Sequence, residues 1–235
     1  MKIYANEKYI ERRSSVGKWA SLLGLAILAG GFIVSLRNPA LLYIPFGSLA
    51  VGFIMSNVGI YYANRYTRPD RPDAELAKSL KGLDNRHALY QFLLPVSQVL
   101  REPGGVTVFV LKPHEGQVLF QEGKWRNKLG WSRVFRWMSQ EGLGDPAQET
   151  AQEVQSMQEW LQERAPDLNV PVRGALVFNK AQLILDDDPP VPTMAPKQVK
   201  GWLRKAGRTP SLPKKTLKRL AQVLDETIPV DEEQD

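Results

Sequence analysis

The apolar run Val106–Leu111, "VTVFVL", ends at a lysine, Lys112, and the spacing around that lysine is the first feature of the chain with chemical content. Residues two apart on a strand share a face. An acid two positions before a lysine, with a second acid at the end of the neighbouring strand, is a recipe for metal-dependent phosphodiester cleavage. The carboxylates hold Mg²⁺, and the lysine orients the attacking water or stabilises charge on the phosphate. Here the position two before the lysine is Val110, so the lysine arrives without its acid. Other chemistries have less behind them. The chain has no cysteine, which removes disulfides, thiolate metal sites and cysteine nucleophiles. Its two histidines, His87 and His114, lack metal-ligand spacing, Ser97 lacks a G-x-S-x-G elbow, and there is no phosphate-binding glycine loop.

A second chemical pattern lies just downstream. From Lys124 to Trp137, "KWRNKLGWSRVFRW", basic and aromatic residues interleave. Lys124, Trp125, Arg126, Lys128, Trp131, Arg133 and Arg136 could together stack on and neutralise single-stranded nucleic acid. The same residue types also suit a bilayer headgroup interface, or a core aromatic row with charged neighbours.

Two uncharged stretches precede these patterns, Trp19–Leu36 and Pro39–Ala63, each close to the roughly 20 residues needed to cross a hydrocarbon core. Both are apolar on every face, unlike a globular helix with one apolar stripe. The first is too long for a signal peptide and is followed at once by the second. They are expected to form a transmembrane hairpin. Five basic residues precede it, Arg37 alone lies in the connector, and Arg65, Arg68 and Arg71 follow, so both termini are expected in the cytoplasm of an inner or plasma membrane. Tyr61, Tyr62 and Tyr66 fit an interfacial belt, and Ala26/Gly30 with Ser48/Gly52 offer small-residue spacings for helix packing.

The rest of the 235 residues, with a net charge of +6, is enough for one folded domain and an extension. After a proline-containing linker, 64–72, a short helix is expected with Asp73 as its N-cap. Short β-rich runs follow, and Glu122-Gly123 splits the last into a hairpin. The run Gly144–Arg164 has the three- and four-residue spacing of a helix, with Asp145 as N-cap ahead of Pro146. A strand ending at Phe178 comes next, so that the helix reads as a crossover on a mixed sheet. Two further basic helices and the acidic end "DEEQD" form the tail, which reads either as a solvated face or as a contact for nucleic-acid phosphates or anionic lipid.

The stretch Ser97–Trp125 resembles the core of the nuclease-related domain family, a branch of the restriction-endonuclease-like fold. Its Pro103–Val106 turn, Lys112, Gly116, Gly123 and Trp125 fill places in that family's pattern, as do Asp145, Pro146 and Gln148, and then Pro171, Val172 and Val177-Phe178 downstream. The resemblance extends over about Asp73–Leu185. It implies an α/β fold in which a mixed-sheet domain, 73–188, follows a basic N-terminus, 1–18, and the hairpin, 19–63, and is followed by a helical tail, 189–235. The departures decide what it implies for function. Ser97 stands where the family has its metal-binding aspartate, and Val110 where it has the glutamate. Lys112 is then a relic. The expectation is a membrane-anchored module without catalysis and without a cofactor, binding nucleic acid or a partner. The alternatives are a Mg²⁺-dependent nuclease in which Glu75, Glu102 or Glu115 has taken over a metal-binding role, and a purely structural membrane-associated protein.

Overall fold

The fold was obtained as a computed structural model, which describes residues 1–38, 40–41, 43–128, 143–206 and 211–229. The described residues divide into two compact units, a helical unit, Lys8–Arg71, and a sheet unit containing Met1–Glu7 and the chain from Pro72 onward.

The helical unit consists of α1 (Glu7–Arg37) and α2 (Tyr43–Tyr62), followed by a π-helical turn, Ala63–Thr67. Both helices are long and apolar enough to cross a membrane. Their large side chains point outward: Trp19 is 66% exposed and Phe46 69%. What is buried is small. Gly17, Gly24 and Gly31 recur every seven residues on α1, and Gly52 and Gly59 repeat the same interval on α2. A Cβ at Gly17 would lie 2.7 Å from Tyr62 Cβ, one at Gly24 3.0 Å from Ser56 Oγ, and one at Gly52 2.6 Å from Leu28 Cγ. The helices therefore touch backbone to backbone along a seven-residue repeat, which is how small residues let helices approach. The expected Ala26/Gly30 pairing is not used, because Gly30 faces open space. It lies one position away from the Gly17–Gly24–Gly31 seam, and one residue is about 100° around a helix. Near the chain-exit end of α2, Arg13 stacks on Tyr9 and Tyr62 and donates from Nη1 to the Tyr62 hydroxyl at 2.9 Å, while Arg65 lies over Tyr61.

The sheet unit opens with β1 (Lys2–Ala5) and continues after the hairpin with α3 (Pro72–Leu80), β2 (Ala88–Gln91), β3 (Gln98–Glu102), β4 (Gly105–Gln121) and β5 (Lys124–Lys128). It ends with α4 (Pro146–Arg164), β6 (Val172–Leu185), β7 (Thr193–Met194), α5 (Pro196–Ala206) and α6 (Lys214–Asp225). The strands form one mixed sheet in the order β1-β2-β3-β4-β6-β7, with β5 also paired to β4. β2, β3 and β4 run antiparallel to one another, and α4 returns the chain so that β6 lies parallel to β4. This is the α/β mixed sheet with a crossover helix read from the sequence.

Alternation along β4 builds two cores. Phe109 and Leu111 face α3 and α5, where Leu76, Leu80, Val199 and Leu203 pack; Val106 and Val108 face α4 and α6, meeting Met157, Leu161, Leu220 and Leu224. Both tail helices are thus part of the fold. α4 begins where the sequence placed it, Asp145 accepting from the Ala147 and Gln148 amides at 3.1 Å each. Three local expectations change. β4 does not stop at Lys112 but runs on to Gln121, because a register shift against β6 between Lys112 and Glu115 absorbs Pro113, which has no N–H for the ladder. β6 likewise continues past Phe178 to Leu185. α3 starts at Pro72, so Asp73 sits in its first turn rather than capping it.

Candidate functional site

Lys112 lies mid-strand on the face of β4 that meets α4, beside Val110 as the period of two requires. It is 5% exposed. Its ammonium donates to Glu149 Oε2, an acid in the first turn of α4 held there by the Asp145 cap. Val110 packs into an apolar cluster with Val118, Leu176 and Phe178. His114, also buried, stands edge-on to the Phe178 ring at 6.0 Å. The lysine is therefore one half of an ion pair over an apolar floor.

The acids singled out in the sequence go elsewhere. Glu102 ends β3 opposite Gly105, on the other face of the sheet from Lys112, and seven residues of strand, about 23 Å at 3.3 Å per residue, separate Gly105 from Lys112. There Glu102 accepts from Arg173 Nε at 3.1 Å and Nη2 at 2.8 Å, and from the Thr107 hydroxyl. The Arg173 guanidinium in turn lies 4.6 Å over the Trp202 ring. Glu115 follows the register shift and pairs with Lys180 at 3.5 Å. Glu75 lies on α3, across the sheet from α4, and pairs with Lys78 at 3.6 Å. None of the three reaches Lys112, and among the described residues no cluster of three or more His, Asp or Glu side chains converges as a metal shell. Ser97 is exposed just before β3. Two steps beyond the Val99–Val108 pair, the register points it toward Val110, so the two positions where an acid was expected lie across from each other.

Glu149 was missed in the sequence. Its only signal was its place four residues after Asp145, in the first turn of a helix that crosses back over the lysine-bearing strand.

The basic–aromatic stretch resolves into strand alternation. Trp125 pairs with Phe120, packs 4.7 Å from its ring and 5.8 Å from that of Phe178, and so belongs to the apolar cluster. Lys124 and Arg126, on either side of it, are exposed on the opposite face, Arg126 with Glu122 at 3.4 Å. Lys128 pairs with Gln117 in the ladder. Trp131, Arg133 and Arg136 lie outside the described residues.

No family model, curated protein or solved structure matches the chain. What the site can do must be read from its own geometry. A buried ammonium neutralised by one carboxylate, over valine, leucine and phenylalanine, supplies neither a paired-acid metal cradle nor a free lysine.

Proposed function

We propose that this is a membrane-anchored protein whose sheet unit, related to the nuclease-related domains, lies on the cytoplasmic side and binds nucleic acid without cleaving it. The observation that carries this reading is the ion pair between Lys112 and Glu149 above Val110. It occupies the position where the nuclease resemblance expects a metal-binding acid and a lysine open to substrate.

The hairpin supports the anchoring. At 1.5 Å per residue α1 is roughly 46 Å long, more than the hydrocarbon thickness of about 30 Å, so its first turns, which carry Lys8, Arg12, Arg13 and Lys18, extend into the headgroup region. The tyrosine–arginine stacks at the same end suit that interface. Both ends of the hairpin connect to the same sheet unit, as they do when both flanks stay on one side. Lys124 and Arg126, projecting together from β5, supply phosphate-directed charge.

The test uses full-length protein in detergent, with single- and double-stranded DNA and RNA in the presence of Mg²⁺ or Mn²⁺. Substrates are expected to stay intact while binding weakens with salt. Combining Lys124→Glu with Arg126→Glu is expected to lower the slope of log K against log salt by about 2. Cleavage that Glu149→Ala or Lys112→Ala abolishes would establish the nuclease alternative. No binding to any nucleic acid would leave the structural reading.

A further inference from the structure

A cavity of about 410 Å³ opens in the sheet unit at the β3–β4 turn, far along β4 from Lys112 and on the other face of the sheet. Four segments form its wall: the loop after α3, the turn itself, the start of β6 and the end of α5. Ser211 adds to the rim, and the next residue, Leu212, donates its amide to the Pro103 carbonyl at 2.8 Å.

Its charged groups have a definite surplus. Arg86, Arg173 and Arg204 line it together with His87, against two carboxylates, Asp84 and Glu102. Both carboxylates are already committed within the wall. Asp84 takes Arg86 Nε at 2.7 Å, His87 Nδ1 at 2.7 Å and the Arg86 amide at 3.0 Å. The Arg86 hydrogen bond first, and then His87, hold its carboxyl down at about 2, so it stays ionised in this pairing. Glu102 is filled by Arg173 and Thr107. Arg173 uses Nε and Nη2 in that pairing, which leaves Nη1; Arg86 likewise keeps Nη1, and His87 keeps Nε2. Arg204 has no acidic partner among the described residues. Among the described residues, once these pairs are made, the wall holds spare N–H donors on three guanidinium groups from three different segments, and no spare carboxylate.

We propose that this cavity binds a small organic phosphate, a phosphate monoester whose oxygens meet Arg86, Arg173 and Arg204. Three forked donors arriving from separate directions suit the three terminal oxygens of a phosphate better than the two of a carboxylate. Leu83 and Leu203 supply an apolar side for the organic group, and the volume falls in the range of small-molecule pockets. Arg173 is fixed in advance, by Glu102 and Thr107 at its edge and by Trp202 against its face, so little of its freedom is lost on binding.

Isothermal titration of the full-length protein in detergent tests this with ribose 5-phosphate, glycerol 3-phosphate, AMP, inorganic phosphate and succinate as probes. At least one monoester is expected to bind saturably and more tightly than inorganic phosphate or succinate. Arg204→Gln is expected to weaken it about tenfold and Arg204→Glu further, as loss of a charge-assisted contact requires. Both variants should melt like the parent, since Arg204 makes no ion pair among the described residues. Saturable binding by none of the three monoesters, tighter binding of succinate, or affinity unchanged in Arg204→Glu would overturn the proposal. Nucleic-acid binding is read separately through Lys124 and Arg126, so either result can fail without the other.

Discussion

At the scale of single residues, Lys112 shows how one ion pair separates a structural role from a catalytic one. A buried pair often gives little net stability over an apolar pair of similar shape, whereas removing one partner strands the other charge. Lys112→Met removes the buried charge and leaves Glu149, whose side chain is 39% exposed and can be solvated, so it is expected to leave the melting temperature level or slightly raised. Glu149→Ala is expected to cost about 2 kcal/mol, below the usual 3–5 for a fully buried pair because Glu149 itself is partly exposed, and thermal unfolding measures both. Tyr90 gives a second residue-level prediction. Burial, and then its hydrogen bond to Asp225 at 2.5 Å, raise its phenol well above the usual range. A raised folded-state value means the contribution is complete below about 10, the unfolded value, and is lost as pH climbs from there toward the folded one. Stability should accordingly fall above pH 10 in the parent, and Tyr90→Phe should flatten that fall in pH-dependent melting. The lysine was legible in the sequence as the survivor of a motif, because i, i+2 spacing is local. Its partner was not, because Glu149 lies 37 residues away and meets it only through the crossover of α4.

Elements differ in how openly their sequences declare them. α4 could be read from apolar spacing and its Asp145-Pro146 start, and the β4–β5 hairpin from Glu122-Gly123, whose φ values of 53° and 69° are those of a two-residue turn with both central residues left-handed. β1 was not legible. "KIYA" is four residues long and reads as part of a basic flank, and only pairing with β2 makes it a strand. The continuation of β4 through Pro113 was hidden for a related reason, since a proline normally argues against strand and a bulge is visible only with the partner in place. On the apolar helices, the Ser48/Gly52 spacing marked the contact face of α2, whereas Ala26/Gly30 missed that of α1, because small residues occur all around them. The seam at Gly17, Gly24 and Gly31 carries its own prediction. Gly24→Leu should destabilise the helix pair by about 1–3 kcal/mol through overpacking, whereas Gly30→Leu, facing open space, should be near neutral; thermal unfolding in detergent compares them.

For the whole molecule, the placement of β1 matters most. The first seven residues and the chain from Pro72 onward belong to one sheet unit, so the helical pair is an insertion between two adjacent parallel strands, β1 and β2. A fragment beginning at Asp73 would lack an edge strand, which is why the functional tests call for the full chain. It also ties the domain's fold to the proposed anchoring: if the apolar helices span a bilayer, a chain that leaves and re-enters one sheet crosses it an even number of times. Because the native chain has no cysteine, single cysteines can report this directly. Asn38→Cys, in the connector between the helices, and Gln152→Cys, on the exposed face of α4, would be treated in intact cells with a membrane-impermeant maleimide, before and after permeabilisation. Labelling at Asn38→Cys in intact cells, with Gln152→Cys labelled only after permeabilisation, is the predicted result. Equal labelling of both before permeabilisation, or the reverse pattern, would contradict a hairpin-anchored cytoplasmic domain.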